Sequence, residues 1–345
     1  MEVGQAIDLP DQEDQDPDHY QQGDEDPRAS THRWSQTVEV AERALIESIE
    51  RLLPPSGGRV LIGPGDDAAV VWSGPLSCVS VDSVVEGVHF ELGLHSPADI
   101  GHRALATALS DLAGMGVAAS EAYVALILPP SLAEPAALEL VAAMVELAGE
   151  CDTTIAGGDI SSGPALSISI TVVGHLDADD RPVLRSGARP GDLVGVTGTL
   201  GGSAAGLEVL RGGAFDELAT DSRTSLIERH LRPRPLLATG LALRLAGASA
   251  MLDVSDGLAA DARRIAECSG VALRVDLARL PLDAGVTAVS GSGAPELAAS
   301  GGDDYELLIC ATPARASDIE EAARTTGTSV TWIGAVEAGE GLLLL

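Results

Sequence analysis

Lysine is missing altogether: all 21 basic residues of this 345-residue chain are arginines. That excludes Schiff-base chemistry and the lysine of a P-loop, both of which need an ammonium on a flexible stem. Positive charge is scarce as well, and the formal net charge is -31 at pH 7. Nucleic acid and anionic membranes are therefore poor partners, because binding either depends on a surplus of positive charge. Cations, or anions carried in by cations, fit better. The four cysteines are far apart with no C-x-x-C pair, so neither a zinc site nor a disulfide framework is indicated. No signal-peptide core opens the chain, and no apolar run reaches membrane-spanning length without glycine or charge. The expected location is cytoplasmic.

Acidic residues placed where apolar segments meet small-residue turns are abundant instead. LIGPGDDAAVV (Leu61 to Val71) delivers Asp66 and Asp67 from a glycine-punctuated turn. The same grammar returns in VSVDSVVEGVHF, LSDLAGMG, AGGDISSG, LDVSDGLAAD and SGGDDYELL. Such junctions can converge on one site from distant parts of a chain.

Residues 1–36 are rich in Asp, Glu, Gln and Pro and have few core-building side chains, so a disordered acidic tail is expected. Helical spacing follows from Val38 to Leu53, ended by Pro54 and Pro55. Leu76 to Val85 reads as a strand with Ser80 and Asp82 on one face, because side chains alternate. A helix begins at Pro97 and ends at the glycines after Leu112, with Asp111 in its last turn. A carboxylate there meets the negative end of the helix dipole, at a cost of about 0.5 kcal/mol that a cation would offset; an Asp capping the following loop reads equally well.

Further strands are expected at Tyr123–Leu128, Leu166–Val173, Leu193–Thr197, Ala250–Val254, Val271–Asp276, Leu307–Ala311 and Val330–Val336. Helices are expected at Ser131–Ala148, Ser203–Leu210, Leu236–Ala246, Leu258–Cys268 and Ala314–Thr325. Alternating strands and helices indicate an α/β or α+β architecture, with the polar DADDRP segment as a linker. The glycine turn Gly198–Gly202 could hold phosphate at the helix N-terminus that follows, or hold nothing. Ser255 and Asp256 suit helix N-caps, whereas Asp253 at the end of an apolar strand does not.

Clustered Asp and Ser oxygens without His or Cys are hard ligands, suited to Mg²⁺, Mn²⁺ or Ca²⁺ rather than zinc. Their dispersal along the chain implies a cleft assembled by the fold. In such clefts Mg²⁺ commonly serves nucleotide phosphates, and phosphoryl transfer needs charge neutralisation and positioning more than covalent help. Arg185, beside glycine turns, is a candidate phosphate contact or an ordinary surface arginine. His89, in GVHF, is a polar anchor for a second substrate or a simply packed side chain.

Taken in order, GDDAAVV, S-x-D-x-x-x-x-x-x-H-F, LSDLAGMG, GGD, RSGARPGD, TGTLGGSAAGL, RHLRPRP, DVSDGL and GGDDYEL resemble the thiamine-monophosphate kinase family, of the aminoimidazole-ribonucleotide-synthetase-like superfamily. The resemblance runs from about Ile62 to Gly334. It implies a two-domain synthetase-like α/β (α+β) fold: after the tail, an N-terminal sheet domain over residues 37–177 that dimerises, then a C-terminal α/β domain over residues 178–345. It implies ATP-dependent phosphorylation of thiamine monophosphate to thiamine diphosphate by direct in-line transfer, with several Mg²⁺ ions, in a homodimer. Carried over by motif, Asp67, Ser80, Val81 (through its carbonyl), Asp82, Asp111, Asp159, Asp253 and Asp256 would be metal ligands. Gly158, Asp159, Arg185 and Ser255 would contact ATP, and His89 and Asp303 the thiamine phosphate. No side chain is assigned as a base.

Two departures stand out. The family usually has Glu at the position of Asp303, and it continues to a Gly-aromatic-Asp-His-Phe segment where this sequence stops at Leu345, so either the sequence is a shortened one or one wall of the substrate pocket is missing. Among superfamily relatives, aminoimidazole ribonucleotide synthetase would carry a lysine in its glycine-rich N-terminal motif, selenophosphate synthetase a reactive Cys or selenocysteine, and the hydrogenase-maturation protein a cysteine tail; none is present. A non-catalytic metal- or nucleotide-binding regulator would keep the carboxylates without turnover.

Overall fold

The structure, a computed structural model, describes residues 44–55, 57–64, 68–213, 215 and 217–345. The expected acidic tail, Asp66 and Asp67 lie outside the described residues. The helix expected from Val38 is described over residues 44–52 (α1). Residues Leu45–Leu345 cluster as one compact unit.

A short antiparallel pair, β1 (Val60–Ile62) and β2 (Val70–Val71), flanks the GDD motif in the sequence. The first large sheet has four strands, β3 (Leu76–Val85), β4 (Ala119–Leu128), β5 (Thr154–Ser162) and β6 (Ser167–Leu176), in the order β3-β6-β4-β5. Only the β4/β5 pair is parallel. Both α2 (Pro97–Gly114) and α3 (Glu134–Glu150) pack on one face of it, over a core that includes Ile100, Leu105, Leu109, Leu140, Met144, Ile168 and Ile170. Among the described residues nothing covers the opposite face. Val79 and Val81 on β3 and Ile127 on β4 are exposed there, and Tyr123, Thr171 and Val173 are half-buried.

The second sheet has six strands: β7 (Leu193–Thr197), β8 (Ala250–Asp253), β9 (Ala272–Val275), β10 (Leu307–Ala311), β11 (Val330–Glu337) and β12 (Gly341–Leu344). Their order is β12-β9-β11-β7-β10-β8. Period-2 alternation along β10 sends Leu308 and Cys310 into a core with α7 (Leu258–Ser269), while Leu307, Ile309 and Ala311 face a core with α6 (Leu237–Ala246) and α10 (Ala316–Thr325). Four more helices, α4 (Gly202–Leu210), α5 (Thr220–Leu231), α8 (Val286–Ser290) and α9 (Ala294–Ser300), complete this half.

Helix α2 is the shared element. Ser96 caps it through a reciprocal capping box with Asp99, and Pro97 pre-sets its first turn. It is buried nearly all round because it touches both sheets and α6. Its C-terminal turn runs against β8 so closely that a Cβ at Gly114 would sit 2.9 Å from the backbone nitrogen of Asp253.

Three expectations need correcting. Helix α3 starts at Glu134, not at Ser131, because residues 129–132 close a turn through the Leu132 N–H and Pro129 carbonyl. Strand β4 begins at Ala119, four residues before the expected start. The terminal leucine run, read as no element, is β12, paired in parallel with β9.

Candidate active site

Where the last turn of α2 meets β3 and β8, adjacent residues face different sheets. The Ser80 hydroxyl on β3 donates to Asp111 Oδ2. The Ser110 hydroxyl, one residue before Asp111, donates to Asp253 Oδ2 on β8 at 2.7 Å. Asp82 lies on the same face of β3 as Ser80, and its charge adds to the upward shift of the Asp111 pKa, whose main cause is burial. Arg185 acts on Asp111 in the opposite direction. Burial pushes the Asp253 carboxyl up to about 7, with help from the neighbouring charges of Asp111 and Asp261. A cleft of about 390 Å³ opens here, lined by Ser80, Asp111, Arg185 and Asp253 among others.

The DVSDGL and GGDDYEL motifs are zipped together beside this cleft. Asp303 N–H donates to the Ser255 carbonyl at 2.8 Å, and Tyr305 N–H to the Val254 carbonyl at 2.9 Å. Asp261, buried in the first turn of α7, accepts the N–H groups of both Ser255 and Asp256 at 3.1 Å. Gly257, at φ +101°, gives the chain the turn between Asp256 and α7. The Asp303 carboxylate takes Arg103 of α2 at 2.6 Å and the Tyr305 hydroxyl at 3.0 Å.

The carried-over residues therefore fall into three groups. Ser80, Asp82, Asp111, Asp253 and Arg185 are brought together, and the Val81 carbonyl is on the same strand segment. Ser255 and Asp303 lie on the adjoining zipped loops, while Asp256 is turned toward Arg264, with which it forms an ion pair. Gly158 and Asp159 sit on β5, the far edge of the first sheet from β3, three strand spacings or about 14 Å away. Within one chain Asp159 does not join Ser80 and Asp82; its carboxylate accepts from Ser161 instead. Gly158 has a packing reason of its own, since a Cβ there would lie 2.0 Å from the Val124 carbonyl oxygen. His89 is exposed and accepts from the Val85 N–H at 3.1 Å. Asp67 lies outside the described residues.

In the glycine turn before α4, two of the N–H groups are already taken. The N–H groups of Gly201 and Ser203 already donate to the buried Asp304 carboxylate at 2.7 and 3.2 Å. Reading the residues in order missed Arg103, Ser110, Asp261, Asp304 and Tyr305. Each is locally ordinary, and its role depends on a partner far away in the chain.

Does this donor set suit Mg²⁺? Every side chain brought together offers hard oxygen, and among the described residues no arginine or histidine lies within ion-pair distance of Asp82, Asp111 or Asp253. Burial and mutual repulsion raise the Asp111 and Asp253 pKa values, a conflict that a cation would relieve. Among the described residues no three His, Cys, Asp or Glu side chains close around one point. The fit is thus one of chemistry and charge, not of a finished cage.

Comparison with known proteins matches residues 65–176 to the AIR synthase related protein N-terminal domain and residues 189–344 to the AIR synthase related protein C-terminal domain. A thiamine-monophosphate kinase of Mycobacterium tuberculosis is 40% identical over 257 residues, covering 73% of this chain and 75% of that protein. Among solved structures, a thiamine-monophosphate kinase from Stenotrophomonas maltophilia K279a is similar at TM-score 0.78 and 34% identity, covering 87% of this chain and 95% of that one. AaThiL complexed with AMPPCP and TMP is similar at TM-score 0.71 and 33% identity, covering 81% and 87%.

Proposed function

The chain belongs to the thiamine-monophosphate kinase family, and on that premise we propose that it transfers the γ-phosphoryl group of ATP to the phosphate of thiamine monophosphate, giving thiamine diphosphate and ADP. The carrying observation is the convergence of Ser80, Asp111 and Asp253 from β3, α2 and β8 on one cleft, with Arg185 at its edge.

Mg²⁺ would be held by Ser80, Asp82, Asp111 and Asp253, with the Val81 carbonyl, Asp67, Asp159 and Asp256 as further ligands. Bound there, it would neutralise the phosphates of the nucleotide. Ser80 and Ser110 aim the Asp111 and Asp253 carboxylates by donating to them. Arg185, at the rim, contacts the nucleotide phosphates, and Ser255, held by Asp261, presents its hydroxyl to the same ligand. The acceptor phosphate is already anionic, so no base is needed and none is assigned; direct in-line attack requires only that the two substrates be held end to end. Asp303 and His89 face the acceptor.

The protein acts as a homodimer. The uncovered, partly apolar face of the first sheet supports this, as does the position of Gly158 and Asp159 at the edge opposite β3. Pairing of two such sheets brings Gly158 and Asp159 of one copy to the Ser80–Asp82 edge of the other, completing the ATP and metal site. The division at residue 177 then separates a dimerising half, residues 37–177, from a half that contributes Asp253, Ser255 and Asp303. The working compartment is cytoplasmic; no described helix is long and apolar enough to cross a membrane.

The test is ATP- and Mg²⁺-dependent conversion of thiamine monophosphate to thiamine diphosphate by the unmodified chain and by Asp82→Ala, followed by product separation. Turnover by the former, reduced at least about 100-fold in the latter, is expected. Undiminished turnover in Asp82→Ala would remove this residue from the site, and failure of the unmodified chain to bind Mg-ATP would overturn the reading.

A further inference from the structure

We propose that Arg103 is a positioning residue for the phosphate acceptor: with the Tyr305 hydroxyl, it fixes the Asp303 carboxylate in a single pose facing the substrate. The inference rests on the kinase reading above and on Asp303 facing the acceptor.

Arg103 is a cation sunk into α2, with its side chain 3% exposed, whereas the side chain of its partner Asp303 remains 38% exposed. The pair is thus anchored at the arginine and presented at the carboxylate. Arg103 is itself held by the His230 carbonyl, to which Nη1 donates at 2.6 Å, leaving Nη2 for Asp303 Oδ2 at 2.6 Å. The other carboxylate oxygen, Oδ1, accepts from Tyr305 at 3.0 Å. Both oxygens are therefore engaged by donors from different directions, which fixes the plane of the carboxylate as well as its place.

The backbone is arranged to the same end. Asp303 and Tyr305 adopt left-handed conformations, at φ +67° and +52°, which cost non-glycine residues free energy. Asp304 between them is buried and pinned by two N–H groups of the turn before α4. Strain of this kind persists only where surrounding contacts over-determine it, and it concentrates at ligand sites. An ion pair serving stability alone would not need it, and a buried arginine–carboxylate pair is in any case weak evidence for stability.

Arg103 Nε and the Nε2 atoms of His95 and His230 are all buried without a partner among the described residues. The two imidazoles are stacked edge to face with centroids 5.3 Å apart. A carboxylate engaged on both oxygens by Arg103 and Tyr305 is a charge held in a fixed place. It suits the cationic ring of a thiamine phosphate.

The experiment measures KM separately for thiamine monophosphate and for ATP in Tyr305→Phe, Arg103→Lys and Arg103→Ala, each alone and combined with Asp303→Ala. Tyr305→Phe, which removes one hydroxyl, keeps the test available if Arg103→Ala does not fold. The expected result is a rise of about tenfold in KM for the acceptor with KM for ATP changed less than about twofold. Arg103→Lys should retain more acceptor affinity than Arg103→Ala, and the effects should vanish in the Asp303→Ala background. Parallel rises in both KM values, or effects that persist without Asp303, would overturn the proposal. Absence of thiamine monophosphate turnover in the unmodified chain is a separate outcome: it would overturn the kinase reading itself.

Discussion

Asp253 shows what the site costs the protein at the scale of one residue. Its carboxyl is buried at the end of an apolar strand, with burial and two neighbouring carboxylates opposing ionisation, and the Ser110 hydroxyl and its own backbone favouring it. Replacing it with Asn keeps the shape and removes the charge. We expect Asp253→Asn to melt at a higher temperature than the parent in EDTA at pH 8, by about 1 kcal/mol of stability, while turnover falls at least about 100-fold. A lower melting temperature would show that Asp253 is a structural hydrogen-bond acceptor first. His230 makes the opposite case. Burial and the nearby Arg103 push its pKa down to about 3, and His95 and His102 are lowered as well, mainly by burial. A lowered histidine favours the fold above its unfolded pKa of about 6.5, and that contribution is lost as pH falls from there toward 3. Acidification from pH 7 to 5 should therefore lower stability by up to about 1.4 kcal/mol per pH unit through His230. Asp253 and Asp304, raised to about 7, act with the opposite sign. The informative quantity is thus the difference between the parent and His230→Asn in urea midpoints across this range: the variant's profile should be flatter toward acid.

Element by element, helix α2 does most to build the site. It carries Arg103 in its second turn and Ser110 and Asp111 near its end, and so lines up the partners of Asp303, Asp253 and Ser80 on one rigid rod. Gly114 sets the distance to β8. Gly114→Ala should cost about 1–3 kcal/mol, since its Cβ would meet the Asp253 backbone nitrogen. It should also lower turnover by more than instability alone explains, as checked by activity measured well below the melting temperature. The helix and β3 were legible in the sequence because their apolar periodicity, capping serine and terminal glycines all agree. Strand β12 was not, because an unbroken leucine run has no alternation to read and gains its strand identity from β9. For a related reason the sequence could not show that Asp304, about 100 residues away, takes the N–H groups of Gly201 and Ser203 in the turn before α4.

Across the whole molecule the decisive feature is that Asp159 and Asp82 belong to opposite edges of one sheet. If two copies share each site, Asp82→Ala and Asp159→Ala should each be inactive alone. Unfolded together and refolded as a mixture, they should regain activity, because a mixed dimer keeps one intact pair of carboxylates. With random pairing, about a quarter of the parent activity is expected, half of the dimers being mixed with one good site each. No recovery despite dimer formation would place Asp159 outside the shared site. The motifs pick out the carboxylates as a set to examine, but sequence order carries no information about which edge of a sheet a strand will occupy.

The account as a whole depends on transfer from ATP to thiamine monophosphate. The most direct measurement follows ADP and thiamine diphosphate together, in the same reaction, with Mg²⁺ and then with excess EDTA. The account predicts that both products appear in a one-to-one ratio and that EDTA stops both. ADP formed without thiamine diphosphate, or thiamine diphosphate formed undiminished in EDTA, would contradict it.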